Sequence, residues 1–400
     1  MGILTRLIGK RDETRDHTIG VDDVSDVWLR TGVDPDSALG IPAAWRGVSL
    51  IANTVARLPL PVYRRTSDGR ERERQHPADK LLNLWSSDAT PAFNLRRCMT
   101  VDALLHGNGF ARITRDVNGT PTGLQYLPGG WVTCESRDGI RFYEYSKPTG
   151  EVERLGLSDV LHVPGFPGPD GWAGVGFVKV ANDALGTIQS TQDFTRQFYQ
   201  NSGRPSAVIK VPGTMKPEDR TKVAASFRRF FEPANAGKPM VTSTDTDVQE
   251  LSMRESAISA LEGLRNHDLV SIANLLGLPP HLVGARSTVY KSLESENRNL
   301  VMFGLDPWLI SWEKSVTLLF SENDRLSGDL YCEHTRQALY QTDSVAQTDS
   351  ILRQIKGGLI TQNEGRQILN MQRIDGGDTL LSPQPTPGPD PAPENIENED

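Results

Sequence analysis

The chain has 400 residues, enough for more than one module with its own core. Apolar residues make up 37% and charged residues 24%, the profile of a folded protein, and 36 glycines with 26 prolines imply many turns between short elements. A net charge of −8 and a pI near 5.5 exclude a protein that grips DNA by neutralising phosphates; a chain of this charge that meets DNA is suited to letting it slide past. The three cysteines, Cys98, Cys134 and Cys332, are odd in number and widely spaced, so they read as free thiols in a reducing compartment rather than a zinc site or a disulfide framework. No apolar run reaches the ~18 residues of a membrane span. The opening MGILTRLIGKRDETR is interrupted by Arg6, which leaves no signal-peptide core and breaks the myristoylation pattern. The chain is therefore expected to be cytosolic when made.

Residues 1–35 are polar and read as a loosely ordered arm. A helix opens at Pro42, carries Ala44, Val48, Ile51 and Val55 at helical spacing, and ends before Pro59. LPVYRR (60–65) predicts a strand, followed by a charged turn at 67–69. Thr90-Pro91 reads as a cap and first-turn proline of a helix running to Gly107. Strands are predicted at 110–115 and 123–128 around the hairpin signal Asn118-Gly119, then at 131–135, 140–145 and 160–163. Residues 1–170 thus read as an α+β domain with an antiparallel sheet.

The Gly/Pro-rich stretch 164–176 predicts a hinge. A long helix over about 175–201 follows, roughly 40 Å at the usual rise, and stops at Asn201-Ser202-Gly203. A small β-α-β insert comes next: a strand at 206–211, a helix opening at Pro217, and extended chain at 239–251. A second long helix covers about 255–276 and stops at Gly277-Leu278-Pro279-Pro280. A polar loop, Gly284 to Thr288, leads into a third helical stretch, about 291–320, which Pro307 should kink or split. The last module begins near 343, where Thr361 and Glu364 spell a capping box. Six prolines in 383–393, then five acidic and no basic residues in 390–400, predict a disordered tail.

Motifs for chemistry are lacking. No phosphate-binding loop, dinucleotide fingerprint, GxSxG elbow or HExxH helix occurs, so no catalytic or metal-binding residue is assigned and no cofactor is expected. His162, in an apolar strand, reads as a core residue. His267 and Asp268 are adjacent on a helix and do not face each other, while Glu294 and Arg298 suit an i,i+4 support pair. Arg228 and Arg229 on the insert helix are candidates for contact with an acidic partner, and Arg286 is a candidate for a DNA phosphate. Two long helices around a compact insert form a stalk. Such a stalk is expected to pack its apolar stripe, with Val178, Leu185, Ile188, Leu261 and Leu264, against neighbouring copies.

Several blocks in one order resemble the siphophage portal family over about residues 40–380. IPAAWRGVSLIANTVARLPLPVYRR (41–65), HPADKLLN (76–83) and HGNGFARITRDVNGTPTGLQYLPGGWV (106–132) are similar to its opening blocks. DVLHVPGF (159–166), DGWAGVG (170–176), SIANLLGLPPHLVG (271–284), GLITQNEGRQILNM (358–371) and GGD (376–378) are similar to its later ones. Gly129-Gly130 departs from the more usual turn before Trp131, and the loop 285–288 holds a single basic residue.

The resemblance implies a portal-type α+β subunit of a tailed double-stranded DNA bacteriophage. Its parts would be an arm (1–35), a mixed wing (36–174), stem helices (175–203 and 255–277) around a small α/β clip (204–254), and a tunnel loop (278–290). A helix and strand returning to the wing (291–342), a helical crown (343–381) and the acidic tail (382–400) would complete it. It further implies a dodecameric ring at one capsid vertex, through which DNA is packaged and ejected without sequence preference. Partners would be the terminase large subunit and a head–tail connector, docking on the clip near Arg228 and Arg229, and the major capsid protein or scaffold. Gly284, Arg286, Ser287, Thr288 and Lys291 would face the channel. No membrane is involved; the place is the virion, after assembly in the host cytoplasm. The alternatives are a connector or minor capsid protein, or a phage hydrolase, for which the sequence offers no nucleophile or metal constellation.

Overall fold

A computed structural model describes residues 33–67, 69–200, 207–210, 247–250, 255–286, 298–336, 339, 344–369 and 371–381. The arm up to residue 32, the insert helix opening at Pro217, the segment 287–297 and the tail from 382 lie outside them. The chain divides into two compact units, 1–335 and 336–400.

In the first unit, Asp34 opens α1 (Pro35–Leu39) with a reciprocal cap: its carboxylate accepts from the Ser37 amide at 2.7 Å, and Ser37 Oγ accepts from the Asp34 amide at 2.8 Å. The following α2 (Pro42–Arg57) buries Ala44, Val48, Ile51 and Val55, the face its periodicity predicted. β1 (Val62–Thr66) and β2 (Gly69–Arg72) form a hairpin across the charged turn. His76 caps α3 (Pro77–Asn83) through Nδ1, which accepts from the Ala78 amide at 3.2 Å. Pro91 is the cap of α4 (Ala92–Leu105) rather than its first-turn residue, and its carbonyl accepts from the Asn94 and Leu95 amides.

The single antiparallel sheet expected for this region is instead several small ones. β3 (Asn108–Arg115) and β4 (Pro121–Leu127) make the predicted hairpin, with Asp116 Oδ1 accepting from the Asn118 and Thr120 amides. β5 (Val132–Arg137), β6 (Ile140–Ser146) and β7 (Val152–Leu155) form a separate meander, and β8 (Val160–Pro164) returns to the free edge of β3. Splitting lets two sheets share one core of Phe110, Leu127, Val132, Tyr143, Leu155 and Val160, so each buries an apolar face that one flat sheet would leave wet.

The predicted hinge is a packed joint. β9 (Phe166–Pro167) pairs with β10 (Gly174–Val175), and Asn108 clamps the pair: its Oδ1 accepts from the Gly174 amide at 2.7 Å and its Nδ2 donates to the Gly174 carbonyl at 3.1 Å. A Cβ on Gly176 would meet the Leu105 backbone at 2.7 Å, and one on Gly107 would meet the Gly176 amide at 2.6 Å. These glycines serve close backbone approach, not freedom of movement.

The first long helix starts later than expected, as α5 (Phe177–Val180), a break at Ala181, and α6 (Asn182–Gln200). β11 (Ala207–Lys210) and β12 (Asp247–Glu250) pair antiparallel, and α7 (Glu255–Leu275) leads back. Pro307 acts as predicted but by a particular route. It offers no amide to the Phe303 carbonyl, and the chain before it widens into a π turn, Leu300–Leu305, in which the Asp306 amide bonds the Val301 carbonyl. α8 (Asp306–Ser315) and a 3-10 turn, Val316–Leu319, continue it; α9 (Glu322–Ser327) and β13 (Leu330–Cys332) close the unit, with β13 pairing on β1.

A buried polar chain fixes this return. Arg96 of α4, fully buried, donates to the Leu58 carbonyl at 2.8 Å and the Val55 carbonyl at 2.7 Å at the C-terminal end of α2. It also donates to His334 Nε2 at 2.8 Å, which leaves His334 Nδ1 to donate to Glu313 Oε1 at 3.1 Å. Trp312 Nε1 donates to Thr100 Oγ1 at 3.0 Å beside it. Burial lowers the Arg96 pKa to about 10, and the guanidinium still carries its charge at neutral pH.

In the second unit α10 (Ser344–Lys356) precedes α11 (Gln362–Ile368). The Thr361–Glu364 capping box is formed: Thr361 Oγ1 accepts from the Glu364 amide at 3.2 Å and Glu364 Oε2 accepts from the Thr361 amide at 2.7 Å.

Candidate functional site

The candidate site is the pair α6 and α7 with the segment that follows α7. The two helices pack on each other, and α7 also packs on α2. Beyond them lie the paired strands β11 and β12, which join the helices at their far ends. At the near end, α7 closes on Gly277 in the left-handed conformation (φ 67°), with the Leu278 amide bonding the Ala273 carbonyl at 2.8 Å. Pro280–Val283 forms a 3-10 turn against α2, where Gly47 leaves room for Leu276, Leu278 and Val283. Arg46 Nε donates to the Leu282 carbonyl.

The predicted tunnel loop therefore begins as anchored structure: Leu278, Val283 and Ala285 are buried. Gly284 is exposed with φ 96°, and Arg286 is exposed with its amide held by Asn266 Oδ1 at 2.8 Å. Ser287, Thr288 and Lys291 lie outside the described residues, as do Arg228 and Arg229 of the clip.

The stem residues divide. Val178, Leu185 and Ile188 were expected to wait for a neighbouring copy, but they are 1%, 0% and 5% exposed within the chain itself. Their burial comes from the chain's own elements: α4 lies against α5, and α7 packs along α6. Leu264 on α7 is 54% exposed; the side chain of Leu261 lies outside the described residues. Between the start of α2 and the helix pair lies a cavity of about 440 Å³, lined by Ile41, Ile188, Ile272 and, at its mouth, Arg196, Arg265 and Asp268. Burial raises the Asp268 carboxyl pKa. Sequence reading missed this cavity, because its walls come from three separate segments.

Elsewhere the polar groups are structural. His162 Nε2 meets Asn108 Oδ1 at 2.8 Å and Nδ1 meets the Tyr143 hydroxyl at 3.2 Å, and desolvation lowers its pKa to about 4, as suits a neutral core residue. The three cysteines are unpaired, and burial pushes the Cys98 thiol up and that of Cys134 up to about 12. Among the described residues, no group of three or more His, Cys, Asp or Glu is placed to hold a metal, and no helix is long and apolar enough to cross a membrane.

Comparison with known proteins decides the family. The family model described as phage portal protein matches residues 42–370. The chain belongs to the phage portal protein family. It is 25% identical to the portal protein of Enterobacteria phage HK97 over 363 residues, covering 88% of this chain and 83% of that one. It is 27% identical to the probable portal protein of Streptomyces phage phiC31 over 311 residues, covering 72% and 66%. Among solved structures, the portal fold recurs in the HK97-family phage portal protein from Corynebacterium diphtheriae, with a TM-score of 0.56 at 20% identity, covering 76% of this chain and 97% of that one. It recurs in the neck of an empty gene transfer agent particle computed with C6 symmetry, with a TM-score of 0.59 at 23% identity over 88% and 94%. The neck of the native particle, computed with C12 symmetry, matches with a TM-score of 0.56 at 21% identity over the same shares. The mixed helix-and-strand portal fold expected from sequence is thus the fold observed.

Proposed function

We propose that this portal-family chain is the subunit of a dodecameric ring at one capsid vertex of a tailed phage, a non-enzymatic channel for packaging and ejecting double-stranded DNA. The observation that carries the reading is the joined helix pair: α6 and α7 pack on one another and lead from the body to paired strands β11 and β12. Family membership and the C12 symmetry of a structurally similar neck support the ring size.

In this reading 36–174 with 291–342 is the wing, 175–203 and 255–277 the stem, 204–254 the clip, 278–290 the tunnel loop and 343–381 the crown. The clip, with Arg228 and Arg229, docks the terminase large subunit and later the connector; the wing meets capsid protein or scaffold. ATP hydrolysis belongs to the terminase. A chain of net charge −8 repels phosphate along the channel, which keeps DNA from sticking, while Arg286, Ser287, Thr288 and Lys291 make transient contacts.

Electron microscopy of the purified chain tests this directly. Annular particles with twelve-fold averages are expected; monomers or dimers under every salt and concentration would remove the ring. Arg286→Ala should weaken duplex DNA retention by assembled rings slightly and at low salt only, roughly one phosphate contact's worth in the salt dependence.

A further inference from the structure

α6 carries an exposed face of one chemical kind. Leu185 and Ile188 are buried, while Asp183, Thr187 and Ser190, at i, i+4 and i+7, lie on the opposite side of the helix and are exposed. The hydroxyl protons on this side are already bonded. Thr187 Oγ1 donates to the Asp183 carbonyl at 3.0 Å and Ser190 Oγ to the Gly186 carbonyl at 2.9 Å. Thr191 Oγ1, at the edge of the face, donates to the Thr187 carbonyl at 2.9 Å. A hydroxyl has a single proton to give, so these side chains present only lone pairs and carbon outward. Beside them Gln189 Nε2 meets both carboxylate oxygens of Asp193, at 3.3 and 3.4 Å. Residues 180–195 hold Asp183 and Asp193 and no lysine or arginine. The exposed residues of α2, α4 and α7 include Arg57, Arg97 and Arg265.

DNA phosphates are charged acceptors, and proteins hold them with donors and cations. A surface of lone pairs, carbon and one carboxylate offers neither. We propose, resting on the portal reading, that the face of Asp183, Thr187 and Ser190, with Thr191 at its edge, lines the channel of the ring and lets duplex DNA pass because its phosphates find no donor there. Net charge is a property of the whole chain and selects no face; the returned hydroxyl protons select this one. α7 instead exposes Leu264, an apolar group better covered by a neighbouring copy than by channel water.

The test uses rings of the full chain carrying Thr187→Lys with Ser190→Lys, checked by electron microscopy, and two duplexes of one sequence and length, one linear and one closed into a circle. A linear duplex can thread a ring and a closed circle cannot. The variant rings should retain at least about tenfold more linear duplex than native rings, lost steeply as salt rises, with no gain for the circle. Equal gains for both forms place the face outside the channel, and no gain for either means that it never meets DNA; each result overturns the proposal. Native chain that forms no ring removes the portal reading itself, and the channel face with it, before any DNA is added. If the variant alone fails to assemble, rings of Thr187→Cys decide. A small maleimide should label them much faster than one carried on a protein too wide for the channel, whereas Val117→Cys, at a fully exposed position, should take both alike. Equal labelling of Thr187→Cys by the two reagents overturns the channel face.

Discussion

Gly109 shows how little room single positions have. A Cβ there would run into the Met99 backbone, 2.8 Å from its carbonyl carbon, because α4 lies directly on β3. Gly109→Ala should cost about 3 kcal/mol, the upper range for overpacking, visible as a lowered denaturation midpoint. His162 carries a second residue-scale consequence. Its pKa is about 4 in the fold against 6.5 in the open chain, so the unfolded chain binds a proton first as pH falls. Stability from this site is complete above pH 6.5 and is lost toward pH 4, roughly 3 kcal/mol in all. Urea unfolding between those limits should be steeper in pH for the native chain than for His162→Gln; equal slopes would reject the assignment.

Elements in this protein are held mainly at their ends. The segment after α7 is fixed by the Gly277 turn, by Arg46 on the Leu282 carbonyl, and by Asn266 on the Arg286 amide. Asn266→Ala removes the last of these. It should cost about 1 kcal/mol and raise hydrogen exchange at Arg286 while leaving β3 and β8 unchanged. The π turn before Pro307 is a similar end effect: Gly304 lies 2.7 Å, by its would-be Cβ, from the Gly277 carbonyl, so the widened turn and the end of α7 fit together through two glycines.

For the whole molecule, the division of stem residues separates folding from assembly. Leu185 is wholly buried in its own subunit, so Leu185→Asp places a charge in the core and should cost at least about 4 kcal/mol, unfolding the body rather than only its oligomer. Leu264 is exposed in the single chain, so Leu264→Asp should leave the melting of the monomer unchanged and lower the fraction of rings. Sedimentation and thermal unfolding on both variants distinguish the two roles; rings that persist in Leu264→Asp would move the assembly face elsewhere. The contact division at 335/336 predicts that a chain ending at Thr335 keeps one cooperative unfolding transition.

Sequence alone determined what local chemistry can encode. Pro42 opens α2, Asn118-Gly119 turns a hairpin, Thr361 and Glu364 cap α11, and the length of α7 follows from helical spacing. The order of blocks carried the family. Only the tertiary structure decided what covers each apolar face. Periodicity marked Leu185 and Ile188 as a stripe without telling a neighbour's helix from the chain's own α7. It marked strands without dividing them into separate sheets around one core. The Arg96–His334–Glu313 chain and the cavity join residues from distant parts of the sequence, and such meetings are set by packing, which leaves no local signature.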